Sequence, residues 1–212
     1  MGRNYIINHQ NTKCKGTDFY EFGVYNGDSM VRLMNHIPLR KAFGFDSFEG
    51  IPQEEIDKYN RDEWRKGFCD VRKKLECTTA EEAKNYIHDR LCNEVKQDFV
   101  LINGYWDKVL TDNLIVDMDM KSAKVVDIDC DIYSSACQAL DFLFRNHLVV
   151  EHTLFYFDDW GGTMDKMPEY AAGESRAWLE KTRQYGIEAE KVFMRGTPPH
   201  IGTVFEITTV KE

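Results

Sequence analysis

Five carboxylates are concentrated in two short segments, Asp127-Ile128-Asp129-Cys130-Asp131 and Asp158-Asp159. Alternation along a strand end points Asp127, Asp129 and Asp131 to one side. Like charges crowded in this way resist ionising together, so the cluster needs a counter-ion, whether Lys, Arg or a metal. Ligation by oxygen alone suits Mg²⁺ or Mn²⁺, whereas zinc would favour Cys and His. Asp129, Asp158 and Asp159 form the expected metal-ligand set, with water and substrate oxygens completing an octahedron.

Two further acidic positions belong to a different chemistry. In Glu21-Phe-Gly-Val-Tyr-Asn-Gly-Asp-Ser29, Gly23 and Gly27 permit a tight turn and a close ligand approach, and Ser29 can cap the helix that follows. Glu21, placed just before the turn, can accept hydrogen bonds from an amine. The segment lacks the G-x-G-x-x-G spacing and the Lys-Ser/Thr of a phosphate-binding loop. Asp46, in Phe45-Asp46-Ser47-Phe48, lies roughly 20 residues beyond the turn, where a ribose-binding carboxylate is expected. Phe48 is a candidate for stacking on a purine. Together the two motifs point to an adenosyl group.

These residues fall at the ends of alternating strands and helices. Strands are expected over 18–24, 41–48, 99–106, 123–133 and 152–160, with helices over 29–37, 79–91, 135–148 and 174–186. Thr78 or Thr79 caps the second helix, and Gly186 ends the last. Two final strands, 191–196 and 202–210, suit an antiparallel hairpin on an otherwise parallel sheet. The charged stretch from 50 to 70, with Trp64 and Phe68 in it, is either a lid or a solvated excursion. Residues 1–16 form a short amino-terminal arm, and the whole is expected to be one α/β domain. In such sheets, ligands bind beyond the carboxyl ends of the strands.

Composition limits the partners. A length of 212 residues suits one core, and 42% hydrophobic residues exclude disorder. A net charge of −9 argues against nucleic acid and leaves room for a cationic ligand, a sulfonium or a divalent metal. No apolar run approaches a membrane span, and the amino terminus lacks the core of a signal peptide. Six cysteines without a C-x-x-C pair read as reduced thiols of a cytoplasmic enzyme. A homo-oligomer is left open.

The segments EFGVYNGDS, GFDSFEGIP, NGYWDKVL, DIDCDIYSS and FDDW, in that order, resemble the macrocin O-methyltransferase family of sugar and antibiotic-tailoring enzymes. The likeness runs from about Tyr20 to Arg176. It implies a Rossmann-like class I methyltransferase fold with sheet order 3-2-1-4-5-7-6, using S-adenosylmethionine. By motif position, Glu21, Gly23, Tyr25, Gly27 and Ser29 would hold the methionine part of the cofactor. Asp46 would bind its ribose, Ser47 and Phe48 would lie close to the adenosine, and Gly104 and Tyr105 would enclose the adenine. Asp129, Asp158 and Asp159 match the family's Mg²⁺ ligands, and Asp129 also matches its general base. The carboxyl-terminal third matches less closely. The amino-terminal region that covers the acceptor in the antibiotic enzymes is longer than the segment before the first strand here, so the acceptor does not carry over.

The implied activity is metal-assisted methylation of a sugar or small natural-product hydroxyl. A hydroxyl holds its proton tightly, so a carboxylate or histidine must receive it. Asp129 is the first candidate, with Asp131 and His200 as alternatives. Trp106, Trp160 and Tyr133 read either as an apolar wall of the site or as core. Two other functions compete. The D-x-D pattern resembles that of haloacid-dehalogenase-type phosphatases, although their later motifs are missing. A non-catalytic, methyltransferase-like binding subunit is the other.

Overall fold

A computed structural model describes residues 2–9, 12–54, 65–160, 172–197 and 200–210. The chain begins with α1 (Gly2–His9), β1 (Asp18–Phe22), α2 (Asp28–Met34) and β2 (Lys41–Asp46). It continues through α3 (Val71–Leu75), α4 (Ala80–Glu94), β3 (Asp98–Asn103), α5 (Trp106–Val109), α6 (Asn113–Asp117) and β4 (Ala123–Ile128). It ends with α7 (Tyr133–Arg145), β5 (Leu154–Phe157), α8 (Gly173–Tyr185), β6 (Ile187–Thr197) and β7 (His200–Val210). The seven strands lie in the order β3-β2-β1-β4-β5-β7-β6. β7 runs antiparallel to both β5 and β6, and the other pairs are parallel.

Period-two alternation divides the core between the two sheet faces. Tyr20, Phe22, Phe43, Phe45, Val126, Ile128, Phe155 and Phe157 pack on one side with Leu140 of α7 and Trp178 of α8. Burying each Phe contributes about 1.5–3 kcal/mol, and nearly all of these rings are fully enclosed. On the other face, Phe19, Val125, Leu154 and Tyr156 meet Ile6 of α1, Met30 of α2 and Ile87 of α4. That face also carries a polar row: Glu21, Asp127 and Tyr156 are register partners on three adjacent strands.

The expected elements are present with other bounds: β1 to β5 end earlier than expected, whereas α4 runs on to Glu94 and β6 and β7 are longer. Thr79 caps α4 in a reciprocal box with Glu82, and Gly186 ends α8 with φ 65°. β4 stops at Ile128 rather than running to Tyr133, because the chain turns out of the sheet and Asp131 takes a left-handed φ of 65°. The short amino-terminal arm includes a helix, α1, which packs on the polar row. Its Gly2 lies so close to the Tyr156 ring that a Cβ would come within 2.3 Å of it.

Candidate active site

The exits of β1 and β4 are pressed together at Gly23. Its φ is 102°, and a Cβ there would lie 1.9 Å from the Asp129 carbonyl oxygen. Only glycine fits this position. The turn is held from β2: Asp46 accepts the Tyr25 N–H on one carboxylate oxygen and the Phe48 N–H on the other, each at 2.7 Å. Burial pushes the Asp46 carboxyl above its ordinary range, and these backbone donors pull against that shift. Each oxygen keeps lone-pair capacity for a ligand hydroxyl.

Gly27, with φ 83°, precedes α2, and no side chain caps that helix. The expected cap, Ser29, instead donates its hydroxyl proton to Glu21. Glu21 is fully buried, and its second carboxylate oxygen, Oε2, has no hydrogen-bond partner among the described residues. Burial raises the Glu21 carboxyl well above the usual range, as does Asp127, while Arg3 opposes both. An orphaned buried acceptor costs about 1–3 kcal/mol, and an incoming donor would recover it.

A cavity of about 640 Å³ opens beyond these strand ends, lined among others by Gly23, Tyr25, Asp46, Ser47, Gly104 and Tyr105. Asp129 and Asp131 also line it. A second hollow of about 290 Å³ lies on the far side of the turn, among Arg3, Tyr25, Ser29, Arg32 and Asp129. Gly23 and Asp129 belong to both walls. Gly104 has φ 142°, and its N–H donates to the Asp46 carbonyl at 3.0 Å. Phe48 departs from the purine-stacking expectation. Its ring is fully buried in the core with Ala83 and Ile87 of α4, so it offers the site only its backbone.

Trp106 lines the cavity and meets Phe22 edge-on at 5.4 Å, whereas Trp160 is core, packed on Phe157 and Phe205. Tyr133 lies outside the cavity wall, with the Arg176 guanidinium 4.3 Å from its ring centre. Both stems of the 50–70 stretch reach the cavity. Ile51 exchanges backbone hydrogen bonds with Phe68 and Gly67, and Glu54 accepts the Ser134 N–H at 2.9 Å. Residues 55–64, which include Trp64, lie outside the described residues, as does the His200 side chain.

The carboxylate cluster carries its own cation, which the sequence reading did not single out. Arg3 donates from Nε to Asp127 at 2.6 Å and from Nη2 to the other Asp127 oxygen at 3.0 Å. Nη2 also reaches Asp129 at 2.7 Å, and Nη1 lies 3.4 Å from Asp158. The guanidinium sits 4.6 Å over the Tyr156 ring. Burial works against its charge, and Asp127 and Asp129 more than offset that, so it stays protonated. Asp129 is 30% exposed, toward the two hollows. Desolvation pushes its carboxyl up to about 8; Arg3 opposes the rise, and Asp158, Asp127 and Asp131 add to it.

Two of the three expected metal ligands, Asp129 and Asp158, are engaged by Arg3, and Asp158 also accepts the Tyr156 hydroxyl. The third, Asp159, is almost fully buried. Among the described residues, no three carboxylate, imidazole or thiol groups converge closely enough to hold a metal ion. The arrangement therefore does not fit Mg²⁺ or Mn²⁺.

Glu174 was also missed. From the first turn of α8, this fully buried side chain accepts the N–H groups of Cys130 at 3.0 Å, Asp131 at 3.2 Å and Asp159 at 3.4 Å. It ties the exits of β4 and β5 together. Its sequence signal was only an acidic residue in a helix's first turn.

A family model described as Macrocin-O-methyltransferase (TylF) matches residues 5–172, most of the chain. The chain belongs to the macrocin O-methyltransferase family. By that membership it is an S-adenosylmethionine-dependent O-methyltransferase. Solved structures share the fold at low identity. CalS11, a calicheamicin methyltransferase, is 16% identical with a TM-score of 0.64, over 97% of this chain and 75% of that one. Its apo structure is described as a TDP-rhamnose 3'-O-methyltransferase. The O-methyltransferase NovP is 17% identical with a TM-score of 0.64, over 98% of this chain and 78% of that one. A precorrin-6y C5,15-methyltransferase from Geobacter metallireducens is 10% identical with a TM-score of 0.54, over 98% and 87%. No curated protein matches the sequence significantly.

Proposed function

We propose that this enzyme methylates a hydroxyl of a sugar or a small glycosylated natural product. The observation that carries the reading is the buried Glu21 Oε2, without a hydrogen-bond partner among the described residues, behind a glycine turn that opens on a cavity of about 640 Å³. An ammonium group such as that of S-adenosylmethionine would satisfy that oxygen. Asp46 is assigned the ribose hydroxyls and Gly104 and Tyr105 the base, a reading supported by their shared place on the cavity wall. Bound there, the cofactor supplies an electrophilic methyl group for in-line displacement by a hydroxyl oxygen.

Asp129, on the wall shared by both hollows, is assigned the role of receiving the hydroxyl proton. A carboxyl with a pKa of about 8 is well matched to that task near neutral pH. The divalent ion suggested by the family resemblance plays no part in this reading, because Arg3 already holds its carboxylates. The sugar acceptor is supported by family membership and by what is said of CalS11. A reducing, cytoplasmic setting is proposed for its six cysteines, as cysteine spacing without C-x-x-C pairs suggests.

The test is transfer of a labelled methyl group from S-adenosylmethionine to a panel of nucleotide-linked sugars and glycosides, with cofactor binding followed by calorimetry. Saturable binding and a labelled methyl ether are expected. A chain that binds no S-adenosylmethionine would refute the reading in favour of a binding subunit.

A further inference from the structure

We propose that the Arg3 guanidinium is the resident cation of the acceptor site and excludes a divalent metal ion from it. The argument begins with the polar row. Glu21 and Asp127 are neighbours in register and fully buried on the face that α1 covers. Two buried carboxylates side by side can be ionised together only beside a cation. The nearest one comes from α1, a segment 124 residues away in sequence.

The fit is specific at three points. Asp127 presents both oxygens to Nε and Nη2, the two-pronged geometry that arginine provides and lysine cannot. The plane of the group is supported by the Tyr156 ring. Gly2, immediately before it, can lie on that ring only because it has no Cβ. With Asp127 as the anchor, the remaining donors extend outward to Asp129 and Asp158.

Those two carboxylates are the ones a divalent ion would need. An ion coordinated by both would have to displace the guanidinium or sit against it as a like charge. Asp127 makes displacement costly, since it would be left buried and unpaired. Arg3 is thus a positioning residue: it holds Asp129 and sets the charge around it.

This inference rests on the methyltransferase reading only for the name of the site, and metal binding can be measured independently of turnover. The probe is Mn²⁺ alone, followed by electron paramagnetic resonance. The samples are the wild-type chain, Arg3→Met, and Arg3→Met combined with Asp129→Asn. S-adenosylmethionine affinity is measured on the same samples.

Wild type is expected to leave Mn²⁺ free at sub-millimolar concentration. Arg3→Met, which keeps an unbranched chain over Tyr156, is expected to gain one bound Mn²⁺ per chain and lose it again when Asp129→Asn is added. Its melting temperature should fall and be partly restored by Mn²⁺. Stoichiometric Mn²⁺ on the wild type, or none on a folded Arg3→Met, would overturn the proposal. If Arg3→Met does not fold, Arg3→Lys and the wild type carry the test. Both are expected to exclude Mn²⁺, and binding by either refutes the proposal. Loss of cofactor binding in the wild type would count against the methyltransferase reading and leave this one standing.

Discussion

Glu21 and Asp127 stand side by side on adjacent parallel strands, both fully buried, and Asp127 alone of the two has a direct bond to Arg3. The asymmetry matters for function. Asp127 is satisfied by Arg3, whereas Glu21 keeps one oxygen without a partner among the described residues. The row is therefore incomplete at Glu21 and closed at Asp127.

Replacing Glu21 by Gln tests that incompleteness. The change keeps shape and removes a buried charge acceptor, so S-adenosylmethionine affinity should fall by about ten- to a hundredfold, the equivalent of one charge-assisted hydrogen bond. The fold should be no less stable, since a desolvated carboxylate is removed. Calorimetry and thermal melting, read together, check both expectations.

Asp129→Asn should lower the methyl-transfer rate by about a hundredfold or more, as expected for loss of a general base, while leaving cofactor affinity within a few-fold. In the wild type, the rate should rise with pH and level off near 8, because Asp129 must lose its proton to act. A pH–rate profile that is flat from 6 to 9 would count against this assignment.

Gly23→Ala should destabilise the chain by about 1–3 kcal/mol, the scale of backbone strain at a non-glycine residue forced into this region. The added methyl would meet the Asp129 carbonyl oxygen, so β4 would have to shift as well. Denaturant unfolding measures the loss.

Much of the scaffold could be read from the sequence because alternation and turn residues are local signals. Val125 and Val126 reveal opposite faces of β4 by their spacing alone, and Thr79 with Glu82 marks a helix start. What was hidden depends on distant partners. The three-carboxylate alternation holds for Asp127 and Asp129 and then fails, because Glu174 draws the backbone of Cys130 and Asp131 out of the sheet. Ser29 looked like a cap because its position suits one, but Glu21 lies within reach in space. Phe48 looked like a stacking surface because nothing local shows that α4 covers it. Arg3 was invisible as a counter-ion, since no property of residues 1–16 indicates contact with β4.

Glu174 gives a stability prediction. Burial and Asp159 raise its carboxyl well above the ordinary value of 4.5, so the folded chain binds this proton more strongly than the unfolded chain does. Stability from this group is therefore complete at low pH and declines as pH rises above 4.5 toward the folded value. Melting temperature should decrease from mildly acidic toward alkaline pH. The decrease should be smaller in Glu174→Gln, which keeps an acceptor for the backbone N–H groups but cannot ionise.

The long reach from α1 to β4 also has a consequence for the order of assembly. An eight-residue helix is marginal by itself in water, so α1 gains its shape by docking on the strands. Its anchor, Asp127, is made 124 residues after Arg3. During synthesis the amino-terminal segment must wait until β4 and β5 have emerged and paired. Closing so long a loop is a late event in folding. A nascent or partly refolded chain would hold the sheet before it holds the guanidinium, and the acidic row would be the last part of the molecule to be neutralised.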